Sequence, residues 1–328
     1  MTAPLLEVRD LTVEFDAGRA LGLGRRKSTA VDSVSLDVRP GETLGLVGES
    51  GSGKSTTGRA ILRLVEAAAG SITFDGLDVT ALGAKTPLTY RRAVQAVFQD
   101  PLASLNPRQP VSAAVTTSLR RHGIGNRAER AAEAFDRVGL SRDHLRRYPA
   151  ELSGGQRQRV AIARALALEP RLVICDEAVS ALDLSTQSAI INLLADLQQS
   201  TGMSYLFIAH DLGVTRHLSH RIAVLLGGRL VEVAPTRTLF ASPRHPYTRA
   251  LIAASPASHP EGRERRRARR LAHRENRRED VIPRGTVGCP FRNRCDSVMD
   301  VCHTVTPPLL PLDAGSKVAC HLYEDGAA

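Results

Sequence analysis

Residues 43–55 read TLGLVGESGSGKS, an apolar strand that runs straight into a glycine-rich loop. Residues 48–55 fit the pattern G-x-x-x-x-G-K-S, known as Walker A. A fully apolar strand ahead of such a loop suggests a buried central strand of an α/β sheet. The glycines let backbone N–H groups turn inward around phosphate oxygens. The helix that follows, TTGRAILRLV at 56–65, presents its positive N-terminal end. Lys54 supplies a point charge for β and γ phosphates, and Ser55 a hydroxyl for Mg²⁺. The expected cradle is Gly48, Glu49, Ser50, Gly51, Ser52, Gly53, Lys54, Ser55 and Thr56.

Two more apolar strands lie downstream, LVIC at 172–175 and YLFIAH at 205–210. The first runs into Asp176 and Glu177. With a phosphate loop upstream, Asp176 is placed to hold Mg²⁺ through water, and Glu177 to orient or deprotonate an attacking water. Residues 5–15 and 31–39 alternate apolar and polar and read as strands, with a polar, Gly-rich loop at 16–30 between them. Residues 100–170 are rich in Ala, Arg and Leu and read mainly as helices. Residues 222–235 read as a hairpin turning at Gly227-Gly228, and 238–254 as a short helical region.

The 328 residues are 42% hydrophobic and 24% charged, which permits a sizeable core and argues against global disorder. No apolar run approaches the roughly 18 residues that span a bilayer. Glu7, Arg9 and Asp10 interrupt the stretch a signal peptide would need. A cytosolic chain with reduced thiols is expected. Net charge is +10, and all but four of the 44 basic residues are Arg. That charge suits nucleic acid or an anionic membrane face. Residues 261–280 hold nine Arg and five acids with almost no apolar period, and read as a linker or exposed helix.

LSGGQRQRVAIARAL at 152–166 adds a second anion-binding helix end, with Ser153 as its cap and Gly154 and Gly155 in its first turn. LSGGQ is the signature of the ATP-binding cassette (ABC) ATPases, which the chain resembles over roughly residues 5–240. The resemblance implies an α/β nucleotide-binding domain with a RecA-like core, an antiparallel β subdomain and an α-helical signature subdomain. It implies ATP and Mg²⁺ as cofactors. Gln99 resembles the Q-loop glutamine that touches Mg²⁺ or the water. Ser180 to Asp183 resembles the D-loop, and His210 the switch histidine at the γ-phosphate. Phe15 resembles the aromatic that stacks on adenine. Ser153, Gly154, Gly155 and Gln156 would serve the nucleotide of a second cassette. The family often has Pro after the catalytic glutamate, and here Ala178 stands there.

FQDPLASLNPR at 98–108, SPRHPYTRAL at 242–251 and the cysteine-bearing tail are more specific. Together they resemble the ATP-binding subunits of dipeptide, oligopeptide and nickel importers, and within them the second of two paired ATPase subunits. Two integral membrane permease subunits, a second ABC ATPase subunit and, indirectly, an extracytoplasmic solute-binding protein are the implied partners. The implied location is the cytoplasmic face of the membrane, held peripherally. A soluble ABC ATPase acting on nucleic acid or ribosomes is the alternative, resting on the Arg run alone; with few aromatics, no nucleic-acid partner is expected.

The division expected is an ABC domain at 1–240, a helical and Arg-rich linker at 241–282, and a four-cysteine extension at 283–328. Cys289, Cys295, Cys302 and Cys320 are separated by five, six and seventeen residues. That spacing suits a larger cluster such as [4Fe–4S] better than zinc, with zinc and a metal-free tail as the other readings. Cluster-bearing tails also occur in the importer branch it resembles. His303 and His321 are expected bystanders, and Cys175 a core residue. Every expected phosphate contact lies outside the tail, so ATP binding is expected to be independent of it.

Overall fold

The computed structural model describes residues 3–16, 27–254, 282 and 285–324. Most of the Gly-rich loop and all of the Arg-rich run lie outside the described residues. A four-stranded antiparallel sheet has the order β2 (Lys27–Val38), β1 (Leu6–Asp16), β4 (Ala69–Phe74), β5 (Leu77–Asp78). The larger sheet is built on β3 (Thr43–Val47). It runs β11 (Leu310–Pro311), β12 (Lys317–Val318), β10 (Arg229–Pro235), β9 (Arg221–Leu226), β3, β8 (Ser204–Ala209), β7 (Leu172–Asp176), β6 (Val94–Phe98). From β9 to β6 the strands are parallel; β10, β12 and β11 extend the other side antiparallel.

The apolar strands read from the sequence are the buried centre of this sheet. All five residues of β3 and β7 and all six of β8 are buried, as a sheet covered on both faces requires. The hairpin turns at Gly227 and Gly228 as expected. β2 begins four residues earlier than its alternation suggests. Its first residues pair with the end of β1, where Lys27 bridges Glu14 at 2.8 Å on an exposed edge that needs no apolar pattern. β4, β5 and β6 carry weaker patterning.

The helices are α1 (Lys54–Ile61), α2 (Leu88–Ala93), α3 (Pro101–Ser104), α4 (Ser112–Arg121), α5 (Arg127–Arg137), α6 (Gly154–Leu166), α7 (Leu184–Thr201), α8 (Leu212–Leu218), α9 (Thr236–Ala241), α10 (Pro246–Ala254) and α11 (Val301–Thr304). One core sits between the two sheets around α1, with Leu11, Val34, Leu46 and Ile61. A second joins the helical region to the sheet through Val115, Phe135, Val160 and Phe207. Arg221 of β9 ties the sheets together electrostatically, at 2.9 Å from Asp37 of β2 and 3.3 Å from Glu42.

A third core unites the end of the cassette with the tail. Val47, Leu212, Leu239 and Tyr247 pack with Cys289, Phe291 and Cys302. Burying a side chain the size of Phe291 contributes about 2 kcal/mol. β12 also pairs with β10, Glu232 opposite Val318. The tail therefore borrows its core and its sheet from the cassette.

Candidate active site

The carboxyl ends of β3, β7 and β8 lie side by side, in the register Val47 opposite Ala209 and Asp176 opposite Ile208. Open α/β sheets bind ligands at this edge. The loop after β3, Asp176 and Glu177 after β7, and His210 after β8 all leave the sheet there. β6 pairs Phe98 with Asp176, which brings Gln99 to the same edge.

Gly53 has φ of +108°, and a Cβ there would stand 2.5 Å from the Ala30 carbonyl oxygen, so the loop's last turn needs glycine. Lys54 is only 4% exposed. Its ammonium donates to the carbonyls of Gly48 and Glu49, each at 2.9 Å. Burial pulls the Lys54 ammonium below its ordinary value, and the carboxylates of Glu177, Asp176 and Glu49 pull it back up. The lysine thus holds the loop open around a basic centre that a phosphate can take over.

Ser55 Oγ donates to Asp176 Oδ1 at 2.7 Å. A hydroxyl and a carboxylate meeting this way form a hard-oxygen pair that suits Mg²⁺. Glu177 is half-buried, with φ of +51° and its N–H donating to the Ile208 carbonyl at 3.0 Å. A left-handed glutamate costs about 1 kcal/mol and turns its side chain off the strand. His210 and Gln99 are exposed at the edge. Phe15, on β1 opposite Ser28, is 43% exposed.

The signature segment opens α6. Ser153 Oγ accepts from Gln156 N at 3.2 Å, and Gln156 Oε1 accepts from Ser153 N at 2.9 Å, a reciprocal cap. Ser153 and Gly154 are exposed. A Cβ on Gly155 would meet Thr186 Cγ2 at 2.5 Å, so glycine lets α6 and α7 start against each other. Asp183 caps α7, accepting from Thr186 N at 2.9 Å and Thr186 Oγ1 at 2.8 Å. Hydrogen bonds from Ser185 and Thr186 hold its carboxyl well below the usual range.

Sequence reading missed two residues at the phosphate loop. Glu49 N–H donates to Tyr247 Oη at 2.9 Å, and the Glu49 carboxylate receives both terminal nitrogens of Arg294, at 2.7 and 3.2 Å. These contacts join the tail to the phosphate loop through Glu49. Both residues sit in segments already singled out, SPRHPYTRAL and GCPFRNRC, but only the cysteines of the second drew attention.

Cys289, Cys295, Cys302 and Cys320 line one small cavity together with His245 and His321. Among the described residues, no group of three or more His, Cys, Asp or Glu is gathered so as to hold a metal ion. The expected metal site is thus not present as a closed coordination shell. Burial pushes the Cys289 and Cys295 thiols up, and Cys320 up to about 11. His321 has both ring nitrogens engaged, by Glu324 at 2.7 Å and the Val305 carbonyl at 2.9 Å. Cys175 is buried in β7, its thiol pushed up to about 12.

The chain matches the ABC transporter family over residues 31–180, and the oligopeptide/dipeptide transporter C-terminal region over residues 231–302. A Bacillus subtilis protein, the putative oligopeptide transport ATP-binding protein YkfD, is 43% identical, with 98% of this chain and 96% of that protein covered. The chain belongs to the ABC transporter ATP-binding proteins. This ABC protein is an ATPase with ATP and Mg²⁺ as its expected cofactors. It is 50% identical over 286 residues to the glutathione import ATP-binding protein GsiA of Salmonella paratyphi A, spanning 45% of that longer protein. A putative peptide import ATP-binding protein of Brucella ovis is 45% identical over 97% of both chains. Among solved structures, the dimeric ATP-binding cassette MJ0796 bound to ADP and Pi aligns with a TM-score of 0.63 at 30% identity, covering 71% of this chain and 99% of that one. These likenesses do not favour the nucleic-acid alternative. No described helix is long and apolar enough to cross a membrane.

Proposed function

We propose that this ABC ATPase energises peptide import, as one of two cassettes docked peripherally on two integral membrane subunits at the cytoplasmic face. The observation that carries the reading is the match of residues 231–302, from β10 to Cys302, to the oligopeptide/dipeptide transporter C-terminal region. Names of the relatives support import of peptides or glutathione. A solute-binding protein would deliver the peptide from outside.

Each site residue has a role in this reading. The loop at 48–56 binds the phosphates and Phe15 packs on adenine. Ser55, Asp176 and Gln99 hold Mg²⁺, which when bound neutralises charge on the phosphate oxygens. Glu177 orients and deprotonates the attacking water, and His210 stabilises the γ-phosphate. The exposed helix end at Ser153, Gly154, Gly155 and Gln156 serves the nucleotide of the other cassette, with Asp183 setting the segment beside it. The test is reconstitution with the membrane subunits and the binding protein. Peptide-stimulated ATP hydrolysis is expected. Stimulation by RNA with none by peptide would refute it.

In the tail, we read the four thiols lining one cavity as ligands of an iron–sulfur cluster, a group held by four cysteine thiolates. Such a group would cross-link residues 289–320 and add folding energy to a segment with little core of its own. Iron and acid-labile sulfide in anaerobically purified protein would support this reading. Zinc at one atom per chain would favour a single ion instead, and neither metal would defeat it.

A further inference from the structure

The second residue of the phosphate loop is held from three directions. Lys54 and the N–H of Ser52 take the Glu49 carbonyl, at 2.9 and 3.1 Å. Tyr247, 1% exposed, takes the Glu49 N–H through its hydroxyl. Arg294 grips the carboxylate with both terminal nitrogens. The guanidinium is itself fixed, 5.0 Å from the Phe291 ring centroid and 5.8 Å from that of Tyr247. Those two rings pack 5.5 Å apart. This is a bidentate, ring-stacked arginine, the geometry that makes an arginine irreplaceable by lysine.

The charge arithmetic explains why such a grip matters. A triphosphate brings several negative charges to a loop that already carries a carboxylate. Glu49 is close enough to Lys54 to influence its proton affinity. Unpaired, the same carboxylate would repel the incoming phosphates. Paired, it is neutralised and drawn toward the tail.

The geometry points to Arg294 as a positioning residue for ATP. It neutralises Glu49 and, with Tyr247, fixes the start of the phosphate loop from outside the cassette core. The inference rests on the ATPase assignment and not on the solute or on any metal in the tail.

Four full-length proteins test it: wild type, Arg294→Met, Glu49→Gln and the double variant, each assayed for MgATP binding and steady-state hydrolysis. Arg294→Met is expected to raise the KM for ATP about fivefold, the upper end of what a half-exposed ion pair supplies. Its kcat at saturating ATP should stay within about twofold of wild type, because no group touching the attacked phosphorus is altered. In the Glu49→Gln background the arginine change should have little effect, since there is no charge left to neutralise. The wild-type-to-variant ratio should also shrink at about 0.5 M salt, where exposed charges are screened. Arg294→Lys should restore only part of the affinity. An unchanged KM in Arg294→Met overturns the proposal. So does a KM rise that persists undiminished in the Glu49→Gln background, which would mean that Arg294 merely holds the tail together.

Discussion

Ser55 and Asp176 stand 121 residues apart in sequence and share a hydrogen bond of 2.7 Å. One ends the phosphate loop, the other ends β7, and only the pairing of β3 and β7 on either side of β8 brings them together. Replacing Ser55 by Ala removes a ligand from this pair. The Mg²⁺ concentration for half-maximal hydrolysis should rise about tenfold, while Mg²⁺-free ATP binding changes less than about twofold. Titration of activity with MgCl₂ checks this, and an unchanged Mg²⁺ midpoint contradicts the role.

Glu177→Gln should bind ATP and trap the closed cassette pair, with turnover down at least about a hundredfold. The amide keeps the left-handed turn and loses only the base. Lys54→Ala should instead weaken ATP binding itself. Size-exclusion chromatography with ATP separates the two: a stable dimer is expected for the first and a monomer for the second. Wild-type hydrolysis by Glu177→Gln would remove it from the mechanism.

Ser153→Arg places a bulky cation on an exposed helix end that touches no part of the chain's own phosphate loop among the hydrogen bonds described. ATP binding to the separate chain should stay within about twofold, and hydrolysis by the assembled complex should fall below about 1% of wild type. Equal loss of ATP binding in the monomer would place the signature in cis.

Arg221 links the two sheets through Asp37 and Glu42. Burial pushes the Asp37 carboxyl up, but the hydrogen bonds and charge of Arg221 prevail and hold it below its ordinary value of 3.8. Because the folded value is the lower one, this contribution is complete above about pH 5 and is lost progressively as pH falls through the folded value. Arg221→Met should cost about 3 kcal/mol, chiefly by leaving the buried Glu42 carboxylate without its cation, while Asp37 keeps Arg39 at 4.0 Å. Denaturant melts from pH 7 to pH 3 check the sign: the variant should lose less stability than wild type on acidification.

Most of the sheet and the catalytic edge were legible because buried parallel strands are written as unbroken apolar runs. TLGLV, LVICD and YLFIA announce themselves, and the motifs follow directly at their ends. β6 was harder, since Gln95 and Ala96 dilute its pattern. The start of β2 was harder still, because Lys27 to Thr29 pair on an open edge and need no apolar face. Arg294 was hidden for a different reason. A side chain that acts across 245 residues leaves no local period, and the neighbouring cysteines offered a more obvious chemistry. The four cysteines were legible from their spacing as belonging together, and the structure brings them to one cavity.

β12 covers the outer side of β10. During synthesis that cover arrives late. The ribosome finishes β10 at Pro235 and reaches Val318 only after the linker and most of the tail, a delay of roughly 4 to 17 seconds at ordinary elongation rates. For that interval the strand's outward N–H and C=O groups have no partner from the same chain, and Glu49 waits for Arg294. A nascent chain in this state carries an unpaired strand edge, the feature that most readily recruits a second copy. Newly made protein should therefore aggregate most readily while translation is paused in the linker, and slowing elongation there should lower the yield of soluble chain.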